Sequence, residues 1–168
     1  MSSTTQPQTT VQRTSDRELT ITRTVKAPAR LIFEAWTRPE LFARWWLPKS
    51  MGMSLVSCEM DVRTGGTYRL AIKHPAAPEP MAFFGTYLEV TPSSRLVWTN
   101  EEGGENGPVT SLTLTETDGE TQVVVRELYP SKEALDAAGT GAAEAMGETF
   151  AQLEALLADS SASNARRD

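Results

Sequence analysis

The side chains that most often perform catalysis or bind metals are scarce in this chain. It has one histidine, His74, and one cysteine, Cys58, among 168 residues. A nucleophile paired with a base, a two-histidine metal site, a zinc finger and an intramolecular disulfide each need more of these residues. The sequence also has no glycine-rich phosphate-binding motif and no G-x-S-x-G motif. We therefore assign no catalytic residue, no metal site and no cofactor from the sequence.

Aromatic surface is concentrated between Lys26 and Trp46, which hold three of the four tryptophans. Proline suits the first position of a helix, so Pro28 and Pro39 predict two short helices in this segment. In each helix apolar residues recur at i, i+1, i+4 and i+5, an arc of roughly 140° against the stripe of about 100° on an ordinary surface helix. These side chains therefore need more cover than one flat sheet face provides.

Composition limits the classes of partner. A chain of 168 residues, 39% of them hydrophobic, can form one well-buried core and is too short for two domains. The net charge of −6 disfavours nucleic acid and anionic membranes as binding partners, because both bind protein surfaces with clustered lysine and arginine. The polar N-terminus is unlike a signal peptide and no apolar run is long enough to span a membrane, so we expect a cytoplasmic protein. A monomer and a homodimer are both compatible with the sequence.

The order of elements indicates an α+β protein. Residues rich in serine and threonine predict disordered tails over 1–16 and 159–168, on either side of one domain at 17–158. Alternation predicts a strand over Glu18–Lys26, and turn signals divide 54–129 into six more strands. Apolar residues then step by four, three and four from Met146 to Leu157, which predicts a long amphipathic helix. Seven mostly antiparallel strands without crossover helices are therefore expected to curve around this helix.

Three motifs resemble one protein family. They are A-P-x-x-x-I-F-E-A-W-T-x-P-E-x-x-x-x-W-W at 27–46, D-x-R-x-G-G-x-Y-R at 61–69 and G-x-Y-L-E-V-x-P-x-x-R-L-V-W-T at 85–99. With the terminal helix, they are similar to proteins related to the C-terminal domain of the Hsp90 ATPase activator, in the START-like, Bet v 1-like superfamily. The resemblance covers about 18–158 and implies the helix-grip fold. The family's frequent Gly-Trp pair in the last helix is replaced here by Glu148-Thr149-Phe150.

The resemblance implies an internal cavity between the curved sheet and the long helix, where a small hydrophobic ligand would bind. The apolar candidates for its wall are Trp45, Trp46, Met53, Tyr68, Leu70, Phe84, Trp98, Met146 and Phe150. The polar candidates are Arg63, His74, Tyr87 and Glu127. The simpler alternative is that the aromatic side chains fill the core, and we expect this for Trp45, whereas Trp46 is expected at the cavity. For Arg63 and Glu127 the alternative to a ligand contact is an ion pair or solvated charges.

Three functions are compatible with the sequence. The first is binding of a lipid or an aromatic metabolite, without catalysis or with weak catalysis. The second is a co-chaperone that stimulates the Hsp90 ATPase, with a chaperone as the partner. The third is an enzyme of the aromatase/cyclase type, which belongs to the same superfamily and requires Arg63, His74 or Tyr87 to face the cavity.

Overall fold

A computed structural model of the chain describes residues 9–101, 107–139 and 141–166. In these ranges the structure has eight strands and four α-helices, which is the predicted α+β class. The elements in chain order are β1 (Thr10–Arg13), β2 (Glu18–Val25), α1 (Ala29–Thr37), α2 (Pro39–Trp45), a 3-10 helix (Lys49–Met51), β3 (Ser54–Met60), β4 (Thr67–Lys73), β5 (Met81–Thr91), β6 (Arg95–Thr99), β7 (Val109–Thr117), β8 (Glu120–Leu128), α3 (Lys132–Ala138) and α4 (Gly141–Arg166).

The strands form a single sheet in the order β1-β2-β8-β7-β6-β5-β4-β3. Every neighbouring pair is antiparallel, because short turns join most consecutive strands and leave no room for crossover helices. The first two strands join the other six through the pairing of β2 with β8, which runs from Glu18 opposite Leu128 to Val25 opposite Thr121. The curved antiparallel sheet and the long helix confirm the predicted fold class.

The structure has one strand more than the sequence predicts. Thr10–Arg13 lies in the predicted tail over 1–16 but pairs with β2, with Val11 opposite Ile21. Only Val11 is half-buried while its three neighbours in the strand are exposed, so this segment has almost no apolar pattern. At the other end α4 continues to Arg166, past the predicted boundary at 158, while residues 1–8 and 167–168 lie outside the described ranges.

Side chains from the sheet replace the missing helix caps around α1. Pro28 precedes this helix and has no side chain that can accept a hydrogen bond, so the Glu116 carboxylate of β7 accepts one from the Ala29 amide at 2.9 Å. A negative charge at a helix N-terminus is favourable because the first N–H groups lack intrahelical partners. Beside it the Thr121 hydroxyl donates to the Ala27 carbonyl at 2.7 Å. These two bonds fix the start of α1 on the far end of the β7–β8 hairpin.

The core lies between the inner face of the sheet and α4. Phe150 and Leu153 of α4 are completely buried and belong to the same hydrophobic cluster as Leu19 of β2 and Val123 of β8. Helices α1 and α2 close one end of this layer, where Trp36 and Trp45 join the same cluster. Burying aromatic side chains of this size is a major contribution to stability, since each removes about 150–250 Å² from water.

Candidate functional site

A cavity of about 470 Å³ lies between the inner face of the sheet and helices α1, α2 and α4. Strands β2–β8 supply one side, α4 supplies Ala145, Met146 and Thr149, and α1 and α2 supply Trp36 and Phe42. The segment after α2, Trp46–Met51, contributes to one end. Most of this wall is apolar, so water inside would have few hydrogen-bond partners.

Four cavity residues form one row across the sheet. Glu127 of β8 lies opposite Thr110 of β7, Thr110 lies opposite Trp98 of β6, and Trp98 lies opposite Tyr87 of β5. Residues directly opposite each other on antiparallel strands point to the same face of the sheet. All four line the cavity. The row therefore places one carboxyl, one hydroxyl, one indole and one phenol side by side.

Hydrogen bonds hold the uncharged polar groups near this row. The Asn100 amide donates from Nδ2 to the Thr110 hydroxyl oxygen and to the Pro108 carbonyl, both at 2.9 Å. The Tyr68 hydroxyl donates to the Thr99 carbonyl at 2.7 Å, and its ring lies 5.6 Å from that of Tyr87. Because groups bonded in this way are oriented before a ligand arrives, they can discriminate between ligands at a low entropic cost.

Tyr68 reaches its position because residue 85 is glycine. A Cβ at Gly85 would lie 2.9 Å from a ring carbon of Tyr68 and 2.0 Å from the Thr99 carbonyl oxygen. Only the absence of a side chain lets the two neighbouring strands bring Tyr68 and Thr99 this close. Gly85 therefore helps to shape this part of the cavity wall.

Glu127 is the ionisable carboxyl group in the described wall of the cavity. Burial raises its pKa, and a hydrogen bond from Tyr129 opposes that shift. The Tyr129 hydroxyl donates to Oε1 over 3.5 Å, a long and therefore weak bond. Burial and the charge of Glu127 in turn raise the pKa of Tyr129 to about 12. Burial also raises the pKa of Tyr87, so its hydroxyl stays protonated and can donate a hydrogen bond.

The aromatic side chains of α1 and α2 form a cluster that separates core from cavity. Trp45 is completely buried, its Nε1 donates to the Ala35 carbonyl at 2.9 Å, and its ring packs edge-on against Trp36 at 4.7 Å. Trp46 is half-buried and stacks on Phe42 at 4.8 Å. Trp36, Phe42 and Trp46 reach the cavity, while Trp45 does not.

We call the segment Trp46–Met51 the mouth segment, because Met51 lines the cavity and is also 49% exposed. It is attached to α4 through Gln152, whose amide donates to the carbonyls of Trp45 and Leu47, both at 2.8 Å. The Gln152 side-chain oxygen accepts from the Lys49 amide at 2.9 Å. The mouth segment is therefore held by side chains of one helix rather than by pairing within the sheet.

Of the candidates from the sequence, eight line the cavity: Trp46, Met53, Tyr68, Leu70, Tyr87, Trp98, Glu127 and Met146. Trp45 and Phe150 instead lie fully buried in the core. Phe84 does not line the cavity, and its ring centre lies 5.7 Å from the guanidinium carbon of Arg69. Successive side chains of a strand point to opposite faces, so Phe84 points away from the face of Phe83 and Tyr87, which line the cavity.

Two polar candidates also lie away from the cavity. Arg63 is exposed and pairs with Asp61 at 2.9 Å, which agrees with its alternative as an ion pair. His74 lies in the turn after β4, where its Nδ1 accepts a hydrogen bond from the Ala76 amide at 3.0 Å. Neither residue lines the cavity, whereas Tyr87 does.

Sequence reasoning missed several residues of the wall, among them Phe83, Met60, Asn100 and Thr110. Alternation could have identified Phe83, since it shares its strand face with Tyr87. Thr110 lies on the face of Leu112 and Leu114, so its orientation was also accessible from alternation. Asn100 follows β6, and nothing in the sequence indicates that it turns toward Thr110.

The described residues hold no cluster of three or more histidine, cysteine, aspartate or glutamate side chains that could bind a metal ion. Cys58 is half-buried, and its Sγ lies 3.5 Å from the sulfur of Met60. Burial raises the pKa of the Cys58 thiol, which favours the unreactive protonated form. A search of the described helices for one long and apolar enough to cross a membrane finds none.

A curved antiparallel sheet that grips a long C-terminal helix places this chain among the helix-grip proteins. The family model described as Activator of Hsp90 ATPase homolog 1-like protein matches residues 26–158. The chain therefore belongs to this family, which confirms the resemblance found in the sequence. A comparison with curated proteins gives no match.

Solved structures with the same fold come from several bacteria. A protein from Nitrosomonas europaea is 26% identical, with 89% of this chain and 99% of that chain covered and a TM-score of 0.79. A protein from Mycobacterium smegmatis is 26% identical, covering 92% and 99%, with a TM-score of 0.76. An AHSA1-like protein from Aeromonas hydrophila is 17% identical, covering 81% and 92%, with a TM-score of 0.66, and this likeness concerns the fold alone.

Proposed function

We propose that this protein binds a small hydrophobic ligand, a lipid or an aromatic metabolite, inside the cavity and without catalysis. The observation that supports this most is a cavity of about 470 Å³ with a mostly apolar wall and one row of polar groups. Pockets for small molecules have volumes of about 300–1,000 Å³ and combine apolar walls with a few placed polar groups.

A cavity of this size is difficult to explain as part of an ordinary core. Protein interiors are packed about as densely as organic crystals, and voids larger than a water molecule are few. The neighbouring core is filled in this way, with Trp45, Phe150 and Leu153 all completely buried. The side chains around the cavity lose dispersion contacts on their inner side, and a bound apolar molecule would restore those contacts.

Ligand binding can be tested by titration with candidate molecules. Dodecanol, cholesterol and naphthylmethanol are suitable probes, and tryptophan fluorescence is a suitable readout because Trp36, Trp46 and Trp98 line the cavity. A bound probe is expected to change the emission and to raise the melting temperature, since a ligand that binds only the folded state stabilises it. Absence of both effects across a broad apolar panel would contradict the proposal.

Two alanines of α4 offer a matched pair of variants. Ala145 lines the cavity, whereas Ala151 is exposed on the same helix. Ala145→Phe is expected to occupy part of the cavity and to weaken probe binding by tenfold or more, while Ala151→Phe leaves binding within about twofold of the parent chain. Equal affinity in both variants would place the bound probe outside the cavity.

The chaperone alternative rests on family membership alone. An ATPase assay with Hsp90 tests it, and stimulation that persists in Ala145→Phe would assign the chaperone contact to a surface separate from the cavity.

For the aromatase/cyclase alternative, Tyr87 meets the requirement that a polar candidate face the cavity, but its raised pKa makes it a donor rather than a base. The cytoplasmic location stays a prediction from the sequence, and a monomer and a homodimer stay open alternatives.

A further inference from the structure

We propose that the ligand of this cavity is an apolar molecule with a protonated amine, and that the amine pairs with the carboxylate of Glu127. This inference rests on the proposed ligand-binding function and names the chemical class of the ligand. It depends on the position of Glu127, on the charges in the cavity wall and on the aromatic rings around it.

Glu127 belongs to the inner face of β8. Val123 and Val125 lie on the same face of this strand and are buried in the core, whereas Arg126 lies on the opposite face and is exposed. Across the sheet, Glu127 is opposite Leu19 on one side and Thr110 on the other. An apolar residue was therefore the expected occupant of this position, and a carboxyl group needs a separate reason to be there.

The protein supplies little compensation for the charge of Glu127. Among the described residues that line the cavity there is no lysine, arginine or histidine. Among the described residues, the hydrogen bond to the Glu127 carboxyl comes from the Tyr129 hydroxyl, which donates over 3.5 Å. Glu127 is half-buried. A carboxylate removed from water to this extent normally has a cation or several good donors as partners, so its place in this wall fits a partner that arrives with the ligand.

Aromatic rings around the cavity favour a cation further. Trp98 is separated from Glu127 by Thr110 alone in the cross-strand row, and Tyr87 follows Trp98. The faces of indole and phenol rings carry partial negative charge and attract ammonium groups. The raised pKa of Glu127 agrees with this, because it reports a carboxylate whose desolvation is not balanced in the protein alone.

The same charges disfavour fatty acids and other anionic ligands. An anion near Glu127 would add a second negative charge to a cavity whose described wall has no cationic side chain. The net charge of −6 acts in the same direction by repelling anions from the surface. A neutral alcohol can donate a hydrogen bond to the carboxyl but lacks the attraction between opposite charges.

Probes with one apolar body and three head groups test this inference. Dodecylamine, dodecanol and dodecanoic acid are titrated by isothermal calorimetry below their aggregation concentrations, and naphthylmethylamine, naphthylmethanol and naphthoic acid provide an aromatic series. In each series the amine is expected to bind about tenfold tighter than the alcohol, because charge-assisted hydrogen bonds are about twice as strong as neutral ones. The acid is expected to bind more weakly than the alcohol.

Glu127→Gln separates charge from shape, and Glu120→Gln is the matched control because Glu120 is exposed on the same strand. Glu127→Gln should lower amine affinity by about tenfold while alcohol affinity changes by less than about twofold, and Glu120→Gln should change neither. The retained alcohol affinity also shows that the variant is folded around an intact cavity.

The remaining outcomes distinguish the two proposals. Binding of the alcohol with equal or weaker binding of the amine would overturn the amine inference and leave the ligand-binding function intact. Equal loss of amine affinity in Glu127→Gln and Glu120→Gln would also overturn it, because the effect would then come from the overall charge. Failure of every probe in both series to bind would overturn both proposals.

Discussion

Glu148 of α4 accepts two hydrogen bonds from Ser50 of the mouth segment. The Ser50 hydroxyl donates at 2.6 Å and its backbone amide donates at 3.0 Å. These bonds lower the pKa of the Glu148 carboxyl, since they favour its charged form. Together with Gln152, Glu148 therefore attaches the exposed segment beside the cavity to the long helix.

Removal of the Glu148 side chain should loosen the mouth segment without unfolding the protein. In Glu148→Ala the Ser50 amide loses its acceptor, so hydrogen exchange at residues 49–51 should become about tenfold faster. Glu133→Ala is a suitable control, because Glu133 is exposed on α3. Mass spectrometry of exchange measures the effect, and unchanged protection of residues 49–51 would show that Glu148 does not hold this segment.

The adjacent residues Trp45 and Trp46 should respond differently to truncation. Trp45→Ala is expected to cost about 3–5 kcal/mol in the free energy of unfolding, because the ring is completely buried and a cavity would remain. Trp46 is half-buried and lines the cavity, so Trp46→Ala should cost less and should mainly weaken probe binding. Urea denaturation and fluorescence titration separate the two effects. Equal losses of stability would contradict the division of this aromatic cluster into core and cavity wall.

Sequence patterns were sufficient for most of the fold because each element has its own local signal. Alternation and turn residues define β2–β8, and the two prolines mark the starts of α1 and α2. Thr10–Arg13 escaped prediction because a strand at the sheet edge with one half-buried residue has almost no periodic pattern. Its pairing with β2 is a tertiary contact, which local composition does not encode.

The cavity was only partly accessible from sequence because it depends on how strands are paired. Strand alternation already shows that Phe84 and Tyr87 point to opposite faces, so a stricter use of it would have replaced Phe84 with Phe83. The row from Glu127 to Tyr87 requires the register of four strands, which no single segment determines. The attachment of the mouth segment by Gln152 joins residues more than a hundred positions apart, with separations of 103 for Lys49 and 105 for Leu47.

The ion pair between Arg23 and Glu154 should be more important for stability than the exposed ion pairs. Arg23 of β2 donates from Nη2 to Glu154 of α4 at 2.7 Å, and only 10% of the Arg23 side chain is accessible. Its guanidinium also lies 5.9 Å from the Phe150 ring centre. Glu154→Ala would leave this cation nearly buried without its carboxylate, at an expected cost of about 2–3 kcal/mol.

A double variant separates the loss of the pair from the burial of an unpaired charge. Arg23→Met with Glu154→Met replaces both charges by apolar side chains of similar length, so it should recover most of the stability that Glu154→Ala loses. Lys132→Ala, which removes an exposed ion pair with Asp136, is the reference for a surface pair and should have little effect. A double variant that is less stable than Glu154→Ala would mean that the pair itself, rather than the unpaired cation, dominates the energetics.

The raised pKa of Glu127 predicts how stability depends on pH. The folded state holds the Glu127 proton more tightly than the unfolded state, in which the carboxyl has its ordinary pKa of 4.5. Folding is therefore accompanied by proton uptake at pH values between 4.5 and the raised pKa of the folded state. Stability should therefore fall as pH rises from 4.5 through the raised pKa of the folded protein. Tyr129 does not titrate in this window, because its own pKa is raised to about 12. The stability gap between Glu127→Gln and the parent chain should widen in favour of the variant as pH rises through this window and stay constant above it, whereas Glu120→Gln should follow the parent curve. Urea midpoints measured across this pH range test the sign, and a constant gap would show that Glu127 ionises in the folded protein as it does in the unfolded chain.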